Sequence, residues 1–287
     1  MGVMGVGSKR EPLFCSSKLL STIQMALPCH HRRVKEQSIA VNGNVLSAML
    51  PHVVSSNFEC NATTRRVIKL SLNSTREDGL GDWYLNTSVF LPFESLLSLD
   101  LVHNHLLCIK NEGFEKLSRL NNLQILDLSE NYFDNNILAS LNGLSSLKTL
   151  KLRQNYLVGL LYFQGFGKLS MLSNLQILHL SYNNFNNNSI LSSLNGFSSL
   201  RTLKLQSNDL TRLVYIQDFD GLNSLKELDI SSNSLDGIVM REGLERPPSL
   251  NSLEVLDLSY NHFNNGIWSF LQGLPSLKTL YIKEYGM

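Results

Sequence analysis

The stretch LQILDLSENYF, residues 123–133, places leucine at its first, fourth and sixth positions, asparagine at its ninth and phenylalanine at its eleventh. Apolar residues alternating with polar ones at positions 2 to 7 read as a strand with one buried face. The same line, L-x-x-L-x-L-x-x-N-x-L, is written eight times, starting at Leu96, Leu123, Leu147, Leu175, Leu200, Leu225, Leu253 and Leu277; the last copy, LKTLYIKEYGM, is incomplete. Successive copies stand 24–28 residues apart. A fixed period of this size marks a solenoid, in which each unit buries its apolar face only by stacking on the next.

The period lies within the range of roughly 20–29 residues for leucine-rich repeats. It predicts an α/β solenoid over residues 96–287, a horseshoe with a parallel concave β-sheet and mostly irregular or 3-10 return legs. Position 9 is held by Asn104, Asn131, Asn155, Asn183, Asn208, Asn233 and Asn261. A column of buried amides there can bond the backbone groups left free where each coil leaves the sheet, so these asparagines read as a structural ladder. The apolar residue at position 11 (Leu106, Phe133, Leu157, Phe185, Leu210, Leu235, Phe263) fills the core behind the sheet. A second period is superposed on the first, since SLNGLSSLKTLKL at 140–152 returns as SLNGFSSLRTLKL at 193–205. That doubling reads as duplication of a two-repeat unit.

Residues 1–57 carry no repeat and read as a disordered leader; their basic, acid-poor composition also fits a transit peptide, and no unbroken apolar stretch supplies a secretory signal. Residues 58–95 read as the remnant of an N-terminal cap, a first irregular repeat from Val67 with Thr75 in the asparagine place, and an insertion. The insertion, residues 76–94, holds Trp83, Tyr84, Phe90 and Phe93 and is expected to pack over the end of the solenoid.

Net charge is +1, which gives no basis for nucleic-acid binding. No run approaches the ~18 apolar residues of a membrane span. The four cysteines are too sparse for a disulfide framework. Compartment is therefore read from four glycosylation sequons, at Asn61, Asn73, Asn86 and Asn187, three of them close together; they lean towards a secreted surface. Phosphate-binding, nucleophile-elbow and metalloprotease motifs are absent, so no catalytic residue and no cofactor is assigned. Cys29-His30-His31 lacks a second paired set at zinc spacing, and no metal site is assigned. His103 and His105 straddle Asn104 and are expected on opposite sides of the strand end.

Positions 2, 3, 5, 7 and 8 face out of the concave sheet. Position 5 runs Asp100, Asp127, Lys151, His179, Lys204, Asp229, Asp257, Tyr281, basic or titratable in the middle and acidic on both flanks. Lys148 and Arg201 at position 2 and Arg153 at position 7 join the same stretch, with Tyr182 at position 8 beside it. These residues are the candidate ligand-binding patch, suited to an acidic or hydroxyl-rich ligand. On the residues alone, simple solvation of an exposed sheet face weighs somewhat more than binding.

From Phe58 onwards the chain resembles plant leucine-rich-repeat receptor-like proteins. The resemblance is carried by FECNATTRRVIKLSLNSTRE (58–77), WYLNTSVFLPFESLLSLDL (83–101), CIKNEGFEKLSRLNNLQILDLSENYF (108–133) and the Leu-Asn-Gly-Leu-Ser-Ser-Leu return legs. It implies a cell-surface or extracellular recognition module for a peptide or protein ligand, without enzymatic activity, that signals only through partner receptor kinases. Cys60 matches the last cysteine of the family's cap, while the cysteine cluster that precedes it in the family is replaced here. No closing cap, membrane helix or tail follows Met287, so both ends are expected to fray. Two alternatives are a soluble inhibitor of a hydrolase, against which the absent G-x-I-P segment speaks, and a truncated product without independent function. An intracellular scaffold is a further one.

Overall fold

The computed structural model describes residues 57–75, 83–85, 87–107, 114–159, 172–186, 188–239 and 250–283. Residues 1–56, Asn86, Asn187 and the cysteines other than Cys60 lie outside them, and with them the Cys29-His30-His31 triplet.

Because the leucine spacing allows only positions 3 to 5 to run extended, each strand of the main sheet in the full repeats is three residues long. The strands are β1 (Asn57–Cys60), β2 (Val67–Ser71), β3 (Trp83–Tyr84), β4 (Ser98–Asp100), β5 (Leu106–Leu107), β6 (Ile125–Asp127) and β7 (Thr149–Lys151), followed by β8 (Ile177–His179), β9 (Thr202–Lys204), β10 (Thr211–Tyr215), β11 (Glu227–Asp229), β12 (Ser234–Val239), β13 (Val255–Asp257) and β14 (Thr279–Tyr281). Among the described residues ten of them form one sheet in the order β1-β2-β4-β6-β7-β8-β9-β11-β13-β14. Register is the same at every step: Leu99 faces Leu126, Leu126 faces Leu150, and the leucines at 178, 203, 228, 256 and 280 continue the row. Equal positions therefore form straight columns across the concave face.

Behind the sheet the leucines at positions 1, 4 and 6 of the first seven repeats are almost wholly buried, with Phe90, Phe114, Phe133, Phe185, Phe197 and Phe219 filling the wider interior, while Leu277 and Leu280 of the last repeat are partly buried and Ile282 is exposed. The return legs are short, as expected: α-helical turns at Asn136–Ser140, Ser189–Ser193 and Ile267–Gln272, and 3-10 turns at Thr87–Phe90, Phe114–Arg119 and Ile216–Phe219. Two parallel two-stranded ribbons, β3 with β5 and β10 with β12, add pairing between successive coils that the repeat pattern does not announce.

The asparagine ladder supplies the bonds between coils. Asn131 is buried, and its Nδ2 lies 3.0 Å from the carbonyl oxygens of Leu128 and Ser129 in its own coil and 3.0 Å from that of Leu101 in the coil before. Its Oδ1 accepts from the backbone N–H groups of Asn104 (3.1 Å) and Leu106 (3.0 Å). The later rungs repeat the pattern, with the position-11 N–H groups of Phe133, Leu157, Phe185, Leu210 and Leu235 donating to Asn155, Asn183, Asn208, Asn233 and Asn261.

Just before each asparagine the backbone turns left-handed. Position 8 has φ between 52° and 58° in every full repeat: His103, Glu130, Gln154, Tyr182, Ser207, Ser232 and Tyr260. None is glycine, so each conformation carries some strain. It is held because the position-8 N–H donates to the position-7 carbonyl of the next coil, as from Glu130 to Arg153 (2.8 Å) and from Tyr182 to Gln206 (2.9 Å).

The first repeat differs from the sequence expectation. Residues 87–94 do not cover the end of the coil: they run as an ordinary return leg, with Phe90 and Phe93 buried in the common core and Tyr84 exposed. The N-terminal edge of the sheet is covered by a further strand. β1, which begins at the final residue assigned to the leader, pairs antiparallel with β2 and satisfies its outward backbone groups.

Removing a rung should leave several buried backbone groups without partners, each worth about 1–3 kcal/mol. Asn131→Ala is expected to lower unfolding free energy by roughly 3 kcal/mol or more in denaturant titration, whereas Asn121→Ala, at an exposed position, stays within about 0.5 kcal/mol.

Candidate functional site

Zero register brings the predicted position-5 residues together, Asp127 facing Lys151, Lys151 facing His179, and His179 facing Lys204. The cations are not isolated. Lys151 Nζ lies 3.0 Å from Asp127, Lys204 Nζ 2.9 Å from Glu227, and Arg153 Nη1 2.5 Å from Glu130. Each acid sits one coil away, so the patch is an alternation of charges held by half-exposed pairs and not an uncompensated basic field. Such pairs contribute little to stability and can exchange partners readily. Arg153 also lies over the Tyr182 ring at 4.6 Å, a cation–π contact that fixes both at the edge of the sheet. Lys148 and Arg201 stand exposed at position 2 on the other side.

His179 is the centre of this arrangement. Partial burial, then Lys204, Arg153 and Lys151, push its imidazole down from 6.5 to about 4, with Asp127 opposing. It is therefore neutral at physiological pH, able to donate one hydrogen bond and accept another.

From the sequence the aspartates at position 5 read only as acidic flanks. In the structure they have a backbone role: Asp100, Asp127, Asp229 and Asp257 each accept the N–H of the residue two further on, at 3.0, 3.1, 3.0 and 2.9 Å. Asp229 takes the Ser231 hydroxyl as well, at 2.6 Å, while burial pushes its carboxyl upwards. In the central coil His179 stands in that place and offers no carboxylate. The Ser181 hydroxyl behind it is buried and has no hydrogen-bond partner among the described residues.

The left-handed turns also place His103 and His105 on the same side, against expectation, with ring centroids 5.6 Å apart. Strand alternation fails here because both residues have φ near 55°. His105 bonds the Tyr132 hydroxyl at 2.7 Å, and Tyr132 stacks on Tyr156. A row of rings thus runs along the turns of successive coils; the tyrosines at position 10 are visible in the sequence, but their neighbourhood depends on the turn.

Of the sequons, Asn61 and Asn73 are half-buried at the N-terminal end. Asn61 Oδ1 accepts from the N–H groups of Thr63 and Thr64 in a tight turn. Cys60, immediately before it, is disulfide-bonded.

Fold and columns define a leucine-rich-repeat solenoid, and the Leucine Rich Repeat family model matches residues 122–144, 224–243 and 252–274. Receptor-like protein 14 of Arabidopsis thaliana is 44% identical over 108 residues, 35% of this chain and 11% of that protein. Receptor-like protein 1 of the same plant is 34% identical over 167 residues, 58% of this chain and 13% of its own length. In its repeats the chain is similar to these plant receptor-like proteins, and it spans only 11% and 13% of their length. Among solved structures, the leucine-rich-repeat ectodomain of the Arabidopsis thaliana membrane receptor kinase GASSHO1/SCHENGEN3, in complex with CASPARIAN STRIP INTEGRITY FACTOR 2, is 29% identical with a TM-score of 0.51, over 68% of this chain and 22% of that one. The Arabidopsis receptor kinase HAESA ectodomain shares the fold, with a TM-score of 0.59 and 24% identity over 79% of this chain and 36% of that one.

Two outcomes follow for His179. His179→Asp restores the acceptor for Ser181 among three cations and is expected to raise stability by about 1 kcal/mol, read as a higher denaturation midpoint. In the unmodified chain the unfolded imidazole takes up its proton near 6.5 and the folded one only near 4. The unfolded state therefore binds more protons in this window, so stability present above pH 6.5 is lost as pH falls towards 4. His179→Gln should flatten that segment of the stability–pH curve.

Proposed function

We propose that the concave face recognises an extracellular peptide or protein, with Lys151, His179 and Lys204 at the centre, Lys148 and Arg201 along one margin and Arg153 and Tyr182 along the other. The chain acts here as a binding module and not as an enzyme. In the receptor-like proteins it resembles, transmission would pass to a partner receptor kinase.

The observation that carries this reading is His179. Four other coils put aspartate at its position and bond the backbone with it. The central coil forgoes that bond, buries an unpartnered serine hydroxyl, and holds a neutral imidazole among three cations. A coil optimised only for stability has no reason to do so, and departures of this kind concentrate where function requires them. The complex of the GASSHO1/SCHENGEN3 ectodomain with CASPARIAN STRIP INTEGRITY FACTOR 2 supports the same use of the fold.

Location at the cell surface or outside it rests on the receptor-like relatives and on the Cys60 disulfide, which belongs to an oxidising compartment. Asn61 and Asn73 are proposed as glycan carriers, together with Asn86 and Asn187. Among the described residues no helix is long and apolar enough to cross a membrane.

Panning a displayed random-peptide library on the purified chain should yield binders that lose affinity about tenfold or more for Lys151→Glu/Lys204→Glu, the scale of losing close charge pairs at an interface. Binders that hold equally well to the variant would contradict the assignment of the patch.

A further inference from the structure

The two-repeat period of the sequence reappears on the concave surface. Position 3 alternates Ile125, Thr149, Ile177, Thr202 on four adjacent, directly paired strands. The two isoleucines are 40% and 37% exposed, large apolar side chains presented to solvent. Between and beyond them the threonine coils carry the cations, Lys148 and Lys151 in one, Arg201 and Lys204 in the other. The face therefore repeats every second coil: apolar, then hydroxyl and positive, then apolar again. The alternation ends at Glu227, which occupies position 3 of the next coil.

Adjacent strands lie about 4.8 Å apart, so the surface period is about 9.6 Å. A ligand lying along the solenoid axis in register with it must present like side chains at that interval. A β-strand repeats a face every two residues, about 6.8 Å, and falls out of step at once. An α-helix has a pitch of 5.4 Å, close to a single coil, and cannot distinguish alternate coils. A polyproline-II helix has three residues per turn and a rise of 3.1 Å, so residues i and i+3 share a face about 9.3 Å apart. That matches two coils.

Resting on the reading of the concave face as a peptide site, we infer that its ligand is a polyproline-II peptide with an apolar residue at every third position and acidic side chains between. The apolar residues of successive turns contact Ile125 and Ile177. The two intervening residues of each turn project about 120° to either side, towards Lys148 and Arg201 at position 2 or towards Lys151 and Lys204 at position 5. The lysines at position 5 are paired with Asp127 and Glu227, and a ligand carboxylate can take over such exposed pairs at small cost. Four coils span about 14 Å between first and last strand, which a segment of roughly six residues covers in this conformation. The duplication of the two-repeat unit thereby acquires a mechanical sense: each unit grips one turn of the ligand.

The test compares three fluorescein-labelled dodecapeptides on the full chain by anisotropy: (Leu-Pro-Glu)4, with leucine every third residue; (Leu-Pro-Glu-Pro)3, which keeps the conformation but spaces leucine every fourth; and (Leu-Ala-Glu)4, which drops the conformational bias. The first is expected to bind about tenfold tighter than either of the others, the scale expected for a misplaced apolar group. Ile125→Ser and Ile177→Ser should each remove that preference, bringing the first peptide to the affinity of the (Leu-Pro-Glu-Pro)3 peptide, with the circular dichroism spectrum of the folded chain retained. Equal binding of the first two peptides, tighter binding of the alanine peptide, or no binding of the first overturns the inference. Library binders that depend on Lys151 and Lys204 but lack a three-residue apolar repeat overturn it alone. Binders indifferent to those lysines overturn the broader reading of the face as well.

Discussion

Every coil of this protein must leave a parallel sheet and return to it, and at that corner its backbone groups lose their strand partners. The buried position-9 asparagine meets this constraint. One amide reaches carbonyls in two coils and receives an N–H from the coil before. A carboxamide can do so because it carries donors and acceptor on a single short planar group. Leucine rows provide most of the apolar burial, but leucines alone would allow the coils to slide. The ladder sets a fixed register, and the fixed register turns scattered surface residues into columns.

The columns in turn make a site from positions that are nowhere near each other in the chain. Lys151, His179 and Lys204 are neighbours only because Leu150, Leu178 and Leu203 face one another directly. The structural and recognition roles compete at position 5. Aspartate there bonds the backbone two residues on; histidine or lysine gives up that bond and presents different chemistry to the concave side. The flanking coils keep the aspartate and the central three do not. Stability and specificity are thus distributed along the solenoid and not mixed in every coil.

Much of this was legible in the sequence, since the leucine and asparagine spacing is enforced by packing and hydrogen bonding that tolerate few alternatives. The position-5 column followed from the strand period. What was not legible depends on backbone geometry without a residue signature. The left-handed position 8 is occupied by His, Glu, Gln, Tyr and Ser, none of which announces such a turn as glycine would, so the proximity of His103 and His105 does not follow from strand alternation. The pairing of Lys151, Arg153 and Lys204 with acids one coil away requires side-chain reach that spacing does not specify. The return leg at 87–94 looked like an insertion because its first repeat has Thr75 in place of asparagine. Thr75 nonetheless joins the ladder, its N–H and hydroxyl meeting Asn104 Oδ1 at 2.9 and 2.7 Å.

Native-state hydrogen exchange on the amides that donate to the ladder tests the central claim most directly. The N–H groups of Leu106, Phe133, Leu157, Phe185, Leu210 and Leu235 should exchange only with the global opening of the solenoid, as slowly as the position-4 strand amides. Exchange of these six at the rate of the exposed return-leg amides, with the strand amides still protected, would contradict the account.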